Sequence, residues 1–272
     1  MPIRVSQRGT EGELSDMEKT RILILGGTSE ARRLAAALSP REDLDILLSL
    51  AGRTEAPAQQ PVPVRVGGFG GAEGLAAFLT EGGYDLLIDA THPFAERISA
   101  NATAAAERTG IPALTLVRPE WIPEPGDHWH IVADIPAAVA ALGPAPRRVF
   151  LATGRQGAHH AEIAPQHFYL VRSVDPVDPP LALADVEYLL DRGPFTLQGE
   201  IDLMRQYRID AVVTKNSGGT AAYSKIEAAR LLGLKVVVIA RAPAAIMTSV
   251  ETVEAALEAI DHLVSPAKKR GV

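Results

Sequence analysis

Apolar and polar positions fall in blocks along this chain. Arg21-Ile22-Leu23-Ile24-Leu25 carries four consecutive aliphatic side chains, too few for a lone helix and suited to a strand buried on both faces. The run breaks at Gly26-Gly27, and Glu30 to Leu38 then holds helix formers throughout. The alternation continues with a strand over Asp45 to Leu50, a helix over Ala72 to Leu79 and a strand over Asp85 to Ala90. A helix over Ala95 to Arg108 follows, ended by Gly110 where a left-handed residue is wanted, and then a strand over Pro112 to Val117. From Arg118 to Pro146 the texture changes: Pro119, Pro123, Pro125, Gly126, Gly143 and Pro144 punctuate a stretch that contains both tryptophans. The pattern resumes as strands over Arg148 to Ala152 and Phe168 to Val171, helix Leu197 to Gln206, strand Ala211 to Thr214, helix Tyr223 to Leu232 and strand Lys235 to Ile239. A last helix, Val253 to Leu263, has apolar residues at helical spacing and reads as packing.

Strand-helix alternation on both sides of a proline-rich stretch predicts an α/β protein: two Rossmann-like, doubly wound parallel-sheet domains with a cleft between them. The expected boundaries are a disordered leader at 1–19, a first domain at 20–118, a crossover at 119–146 and a second domain at 147–266. The leader is polar and aperiodic, and Met17 just ahead of the first strand leaves a misplaced start as the alternative. The tail from Ser265, with Lys268, Lys269 and Arg270, reads as a solvated end.

Composition narrows the classes. At 272 residues the chain can bury one large core or two modest ones. The absence of cysteine removes disulfides, thiolate zinc sites and thiol nucleophiles. A formal net charge of −6 argues against nucleic acid as a partner. Neither end has a long apolar run and the first residues lack a secretory core, so a cytoplasmic protein without a membrane partner is expected.

In open α/β sheets ligands sit beyond the carboxyl ends of strands, and candidate chemistry collects there. Gly26 and Gly27 can take positive φ and let a pyrophosphate approach, while Thr28 and Ser29 offer hydroxyls beside the unpaired N–H groups that open the helix. The full G-x-G-x-x-G fingerprint is absent, and a simple cap by Thr28 or Ser29 is the alternative. After the second strand no Asp or Glu stands ready for a ribose; Ser49, Arg53 and Thr54 supply donors, which favours NADP over NAD unless Arg53 is a plain surface arginine. His92, in Thr91-His92-Pro93, can donate a proton, orient a cofactor amide, or merely cap the following helix.

The second half repeats the theme. Thr153-Gly154-Arg155 suggests anion capture, and the adjacent His159 and His160 make a poor metal pair, so no metal is assigned. Lys215-Asn216-Ser217-Gly218-Gly219-Thr220, followed by Tyr223 and Lys225, reads as a backbone nest with a point charge for phosphate or carboxylate, the alternative being a capped loop. The chain lacks G-x-S-x-G, G-x-x-x-x-G-K-[ST] and H-E-x-x-H, which leaves redox chemistry with a borrowed hydride as the better fit.

Leu25-Gly26-Gly27-Thr28-Ser29-Glu30-Ala31-Arg32, Ser49-Leu50-Ala51-Gly52-Arg53, Asp89-Ala90-Thr91-His92-Pro93-Phe94-Ala95, Arg118-Pro119-Glu120-Trp121 and Thr214-Lys215-Asn216-Ser217-Gly218-Gly219 together resemble the precorrin-6A reductase family of cobalamin biosynthesis. The likeness covers nearly everything after Thr20. It implies an oxidoreductase that uses NADPH to reduce one carbon–carbon double bond of a tetrapyrrole, precorrin-6A to precorrin-6B, in a cleft between Rossmann-like domains. On this resemblance Gly26, Gly27, Thr28 and Ser29 meet the pyrophosphate; Arg53, with Ser49 and Thr54 near it, meets the 2′-phosphate; and Thr91 and His92 meet the nicotinamide or ribose. Arg118, Arg155, Lys215 and Lys225, with the Ser217-Gly218-Gly219 turn, are the expected holders of substrate carboxylates. His92, Tyr223 or water would deliver the proton. The alternatives are a cobalt-precorrin-6A reductase of the anaerobic branch, in which NADH can replace NADPH, a non-catalytic NADPH-binding sensor, and a reductase of a small carbonyl compound. Expected partners are the tetrapyrrole itself and, transiently, neighbouring pathway enzymes.

Overall fold

The structure, a computed structural model, describes residues 19–52, 59–242 and 247–264. In chain order its elements are β1 (Thr20–Leu25), α1 (Ser29–Leu38), β2 (Leu44–Leu50), β3 (Val64–Val66), α2 (Ala72–Glu81), β4 (Leu86–Asp89), α3 (Glu96–Thr109) and β5 (Ala113–Leu116). Then come β6 (His128–Val132), α4 (Ile135–Ala140), β7 (Arg148–Ala152), α5 (Arg155–Ala158), β8 (Phe168–Ser173), β9 (Val186–Leu190), α6 (Leu197–Gln206), β10 (Ala211–Lys215) and α7 (Ser224–Leu231). The chain returns through β11 (Lys235–Ile239), β12 (Thr248–Val250) and α8 (Val253–Val264). No helix among the described residues is long and apolar enough to cross a membrane.

Two six-stranded sheets result, ordered β12-β5-β4-β1-β2-β3 and β6-β11-β10-β7-β8-β9. Every pairing in both is parallel. Counted from β1 in one sheet and β7 in the other, five strands of each follow the dinucleotide-binding order 3-2-1-4-5, and one further strand holds the sixth place beside the fifth. In each, the strand in sixth place comes from beyond the other sheet's fifth. β6 leaves the first lobe to edge the second, and β12 leaves the second to edge the first. The lobes are therefore tied by two crossings.

This corrects two boundaries. The stretch 119–146, expected as a crossover, supplies strand β6 to the second sheet and helix α4 to the core beside it. The stretch after β11, expected in the second domain, carries β12 and α8 back to the first. The leader 1–19 lies outside the described residues apart from Lys19, as does the tail from Ser265.

The continuous aliphatic runs are explained by burial on both faces. Ile22 and Ile24 face the side covered by α1 and α8, whereas Leu23 and Leu25 face α2 and α3. In the second lobe Val149 and Leu151 face a core shared with α4, while Phe150 faces α6 and α7 together with Trp121. Phe94, from the loop after β4, packs against the second lobe's core and so keys one lobe into the other.

Candidate active site

The loops following the strands of the two sheets meet. At the first turn Thr28 is the N-cap of α1: its Oγ1 accepts from Ala31 N at 3.1 Å and donates to Ala90 O at 2.8 Å. That hydroxyl is committed, so an anion here would meet the N–H groups of Ser29 and Glu30, which helix geometry leaves without intrahelical partners. Gly26 and Gly27 divide the labour. A Cβ at Gly26 would stand 2.6 Å from Leu48 Cδ1, so this glycine lets β2 pack close. Gly27 has φ +114° and open space where a side chain would project. Ser29 Oγ donates to Glu30 Oε2 at 3.0 Å. A positive-φ glycine opening onto free space above a helix N-terminus fits the phosphates of a dinucleotide.

Glu30 is paired within its own lobe, at the start of the first crossing. Arg118, just past β5, donates Nη1 to Glu30 Oε2 at 2.8 Å and Nε to Ser217 O at 2.6 Å, and both side chains of the pair are largely buried. A small hollow beside it is lined by Thr28, Glu30, Thr91, Pro93, Leu116 and Arg118. Arg241, just past β11, donates Nε to Asn216 O and Nη1 to Arg118 O, each at 2.8 Å, which clamps the two crossings together. Asn216 Oδ1 accepts from Trp121 N at 2.8 Å, and Trp121 Nε1 donates to Gly219 O at 2.7 Å. Gly218 and Gly219, both at φ +65°, are glycine because these crossings fill the space beside them: a Cβ at Gly219 would lie 2.6 Å from Arg118 Cδ and 3.6 Å from Glu30 Oε1. The two glycine turns thus face one cleft.

His92 lies half-buried in this meeting point, its ring 5.9 Å from that of Phe94. Burial, and then the charges of Arg118, Lys215, Arg241 and Lys225, push its pKa down to about 3. Phe94 N donates to His92 Nδ1 at 3.2 Å, which leaves the remaining ring proton on Nε2. His92 is a neutral hydrogen-bond donor here, not an imidazolium ready to yield a proton. Lys215 Nζ stands 5.4 Å from the centre of the Phe94 ring.

Lys225 and Tyr223 are placed otherwise than expected. Lys225 is buried beneath the loop it was expected to decorate: Nζ donates to Ala222 O at 2.6 Å and lies 4.7 Å from the Trp121 ring centre. Burial, then Arg172, lower its pKa to about 7. The Tyr223 ring lies 5.8 Å from that of Trp121, tilted by 58°, and its hydroxyl donates to Glu124 Oε1 at 2.9 Å while accepting from Arg230 Nη2 at 2.6 Å. Burial pushes that phenol up, so it is a structural contact and a poor acid. Arg155 opens the short α5 after Gly154 at φ +78°. Arg53 and Thr54 lie outside the described residues.

The sequence reading missed Arg65 and the Arg172–Glu200 pair. Arg65, on β3, donates Nη1 to the buried Ser49 Oγ at 2.9 Å and lies 3.9 Å over the Phe69 ring, so a cation does stand at the end of β2. Its neighbours Gly67-Gly68, which accept from it, were the available signal. Arg172 and Glu200 form a buried ion pair beneath the second lobe's loops, 3.7 Å under the Phe195 ring. Nothing in the local sequence marks it.

Two parallel sheets of Rossmann-like strand order, facing each other across a cleft that gathers guanidinium and ammonium groups, define a two-lobed α/β protein. The family model for precorrin-6x reductase CbiJ/CobK matches residues 21–261. The chain belongs to that family, and it is an oxidoreductase of cobalamin biosynthesis. A precorrin-6A reductase from Sinorhizobium sp is 54% identical over 95% of this chain and 99% of its own length. A cobalt-precorrin-6A reductase from Priestia megaterium is 30% identical over 81% of this chain and 90% of its own. A solved CobK precorrin-6A reductase superposes with TM-score 0.86 at 47% identity, covering 90% of this chain and 97% of that one.

Proposed function

We propose that this chain reduces one carbon–carbon double bond of metal-free precorrin-6A, giving precorrin-6B, with NADPH as reductant. One observation carries the substrate class: Arg118, Lys215 and Arg241 gather where the lobes meet, Arg118 on Ser217 O, Arg241 on Arg118 O and Lys215 beside the Phe94 ring, and their charges add to the burial that lowers the pKa of His92. A chain of net charge −6 that gathers positive charge at that one place suits a macrocycle bearing several carboxylates. The much higher identity to the relative named without cobalt supports the metal-free ring over the cobalt one. NADPH, when bound, supplies the hydride.

The chain's own residues do the rest. Gly27 and the N–H groups of Ser29 and Glu30 hold the phosphates, and Arg53 with Arg65 provides positive charge for the 2′-phosphate. Thr91 and His92 face the reactive end. His92, as an Nε2–H donor, orients an acceptor and does not hand over a proton. Lys215 and Arg155 meet substrate carboxylates, while Arg118 chiefly joins the lobes. A cytoplasmic location and passing contact with neighbouring pathway enzymes go with this reading.

The test is to mix the protein anaerobically with NADPH and metal-free precorrin-6A and follow both the nucleotide absorbance and the macrocycle spectrum. Both should change together, faster than with the cobalt-containing ring or with NADH. No change in either rejects the proposal.

A further inference from the structure

Asp89 closes β4 at the centre of the first sheet, in register with Leu25 just before the glycine turn. This is the point where strand order reverses and where dinucleotides lie across such sheets. Its Oδ1 is fully engaged, accepting from Thr91 N at 3.0 Å and Thr91 Oγ1 at 2.7 Å. Thr91 is held in turn by Ser99 Oγ at 3.3 Å. The second oxygen, Oδ2, is buried and has no hydrogen-bond partner among the described residues, in a side chain only 2% exposed. Native folds rarely leave such an acceptor empty, and one that is empty beside a ligand crevice awaits a donor.

We infer that Asp89 Oδ2 accepts a hydrogen bond from an O–H or N–H donor on the non-phosphate part of the dinucleotide, and that Thr91 is the residue that aims it. An acceptor-only oxygen repels phosphate and selects hydroxyl or amide, the groups on the cofactor's ribose and carboxamide. The Thr91 contacts fix the carboxyl plane, so Oδ2 can point in one direction only. This rests on the proposed use of NADPH and adds a binding residue to it.

Asp89→Asn is the discriminating change, because the amide oxygen can keep both Thr91 contacts while Oδ2 becomes an NH2 that opposes a donor. NADPH affinity, measured by titration calorimetry on the full chain, should weaken at least tenfold with the melting temperature nearly unchanged. Asp89→Ser, which lacks Oδ2 altogether, should weaken binding less than Asp89→Asn does. Binding of 2′-phospho-ADP-ribose separates the two donors. A penalty that persists assigns a donor on the ADP-ribose part, and one that vanishes assigns the carboxamide. Unchanged NADPH affinity in Asp89→Asn overturns the inference, as does unfolding of both variants, which would make Asp89 a purely structural group. Failure of the unaltered chain to bind NADPH at all instead removes the cofactor reading on which the inference stands.

Discussion

Lowering pH should destabilise this protein through His92, and replacing that residue should remove the effect. Its folded pKa is near 3 against an ordinary 6.5, because burial first, and then the neighbouring charges of Arg118, Lys215 and Arg241, oppose a further positive charge. The folded state therefore binds no proton at this ring between pH 7 and pH 5, while the unfolded chain takes one up as pH falls below 6.5. Stability is lost in that direction, by about 2 kcal/mol over the interval. His92→Asn does not titrate and can keep an acceptor for Phe94 N. Urea unfolding of both proteins at pH 7 and pH 5 reads the difference. His167, whose pKa burial also lowers, is common to both and cancels. The free-energy gap should move by about 2 kcal/mol in the variant's favour on going to pH 5. A gap that stays constant refutes the placing of a neutral His92 amid the cleft's cations.

Other consequences follow from the same contacts. Arg118→Met strands Glu30 in a largely buried position and unties Ser217, and should cost about 3 kcal/mol in chemical denaturation. Glu200→Gln breaks the buried pair with Arg172 and should cost about 3–5 kcal/mol, seen as a clear fall in melting temperature. Tyr223→Phe removes only a hydroxyl that donates to Glu124 and accepts from Arg230, which stay paired directly, so turnover should stay within about twofold while stability drops by about 1 kcal/mol.

Much of this architecture is legible in the chain itself, because strands buried on both faces print unbroken aliphatic runs and strand-to-helix corners print glycine and hydroxyl residues. Ile22 to Leu25, Gly26-Gly27 and Gly218-Gly219 are of this kind. The exchanged edge strands are not. His128–Val132 carries two histidines and mixes exposed with half-buried residues, and Thr248–Val250 is three residues long, since an edge strand has one neighbour and needs little apolar sequence. Their membership in the opposite sheet is a tertiary fact. Lys225 and Tyr223 read as cleft groups because each follows the glycine loop. Trp121, arriving from a distant crossing, covers the lysine and packs at a tilt against the tyrosine. Burial of this origin leaves no local signature.

On the proposed function, the cleft joins a nucleotide reductant to a tetrapyrrole so that hydrogen passes directly between them. Mass spectrometry of the macrocycle after a single anaerobic turnover with NADPH deuterated at the transferring position tests it most directly. The product should gain one deuterium from the nucleotide and one proton from solvent. A reduced macrocycle without that deuterium, or oxidation of NADPH with the ring untouched, would contradict it.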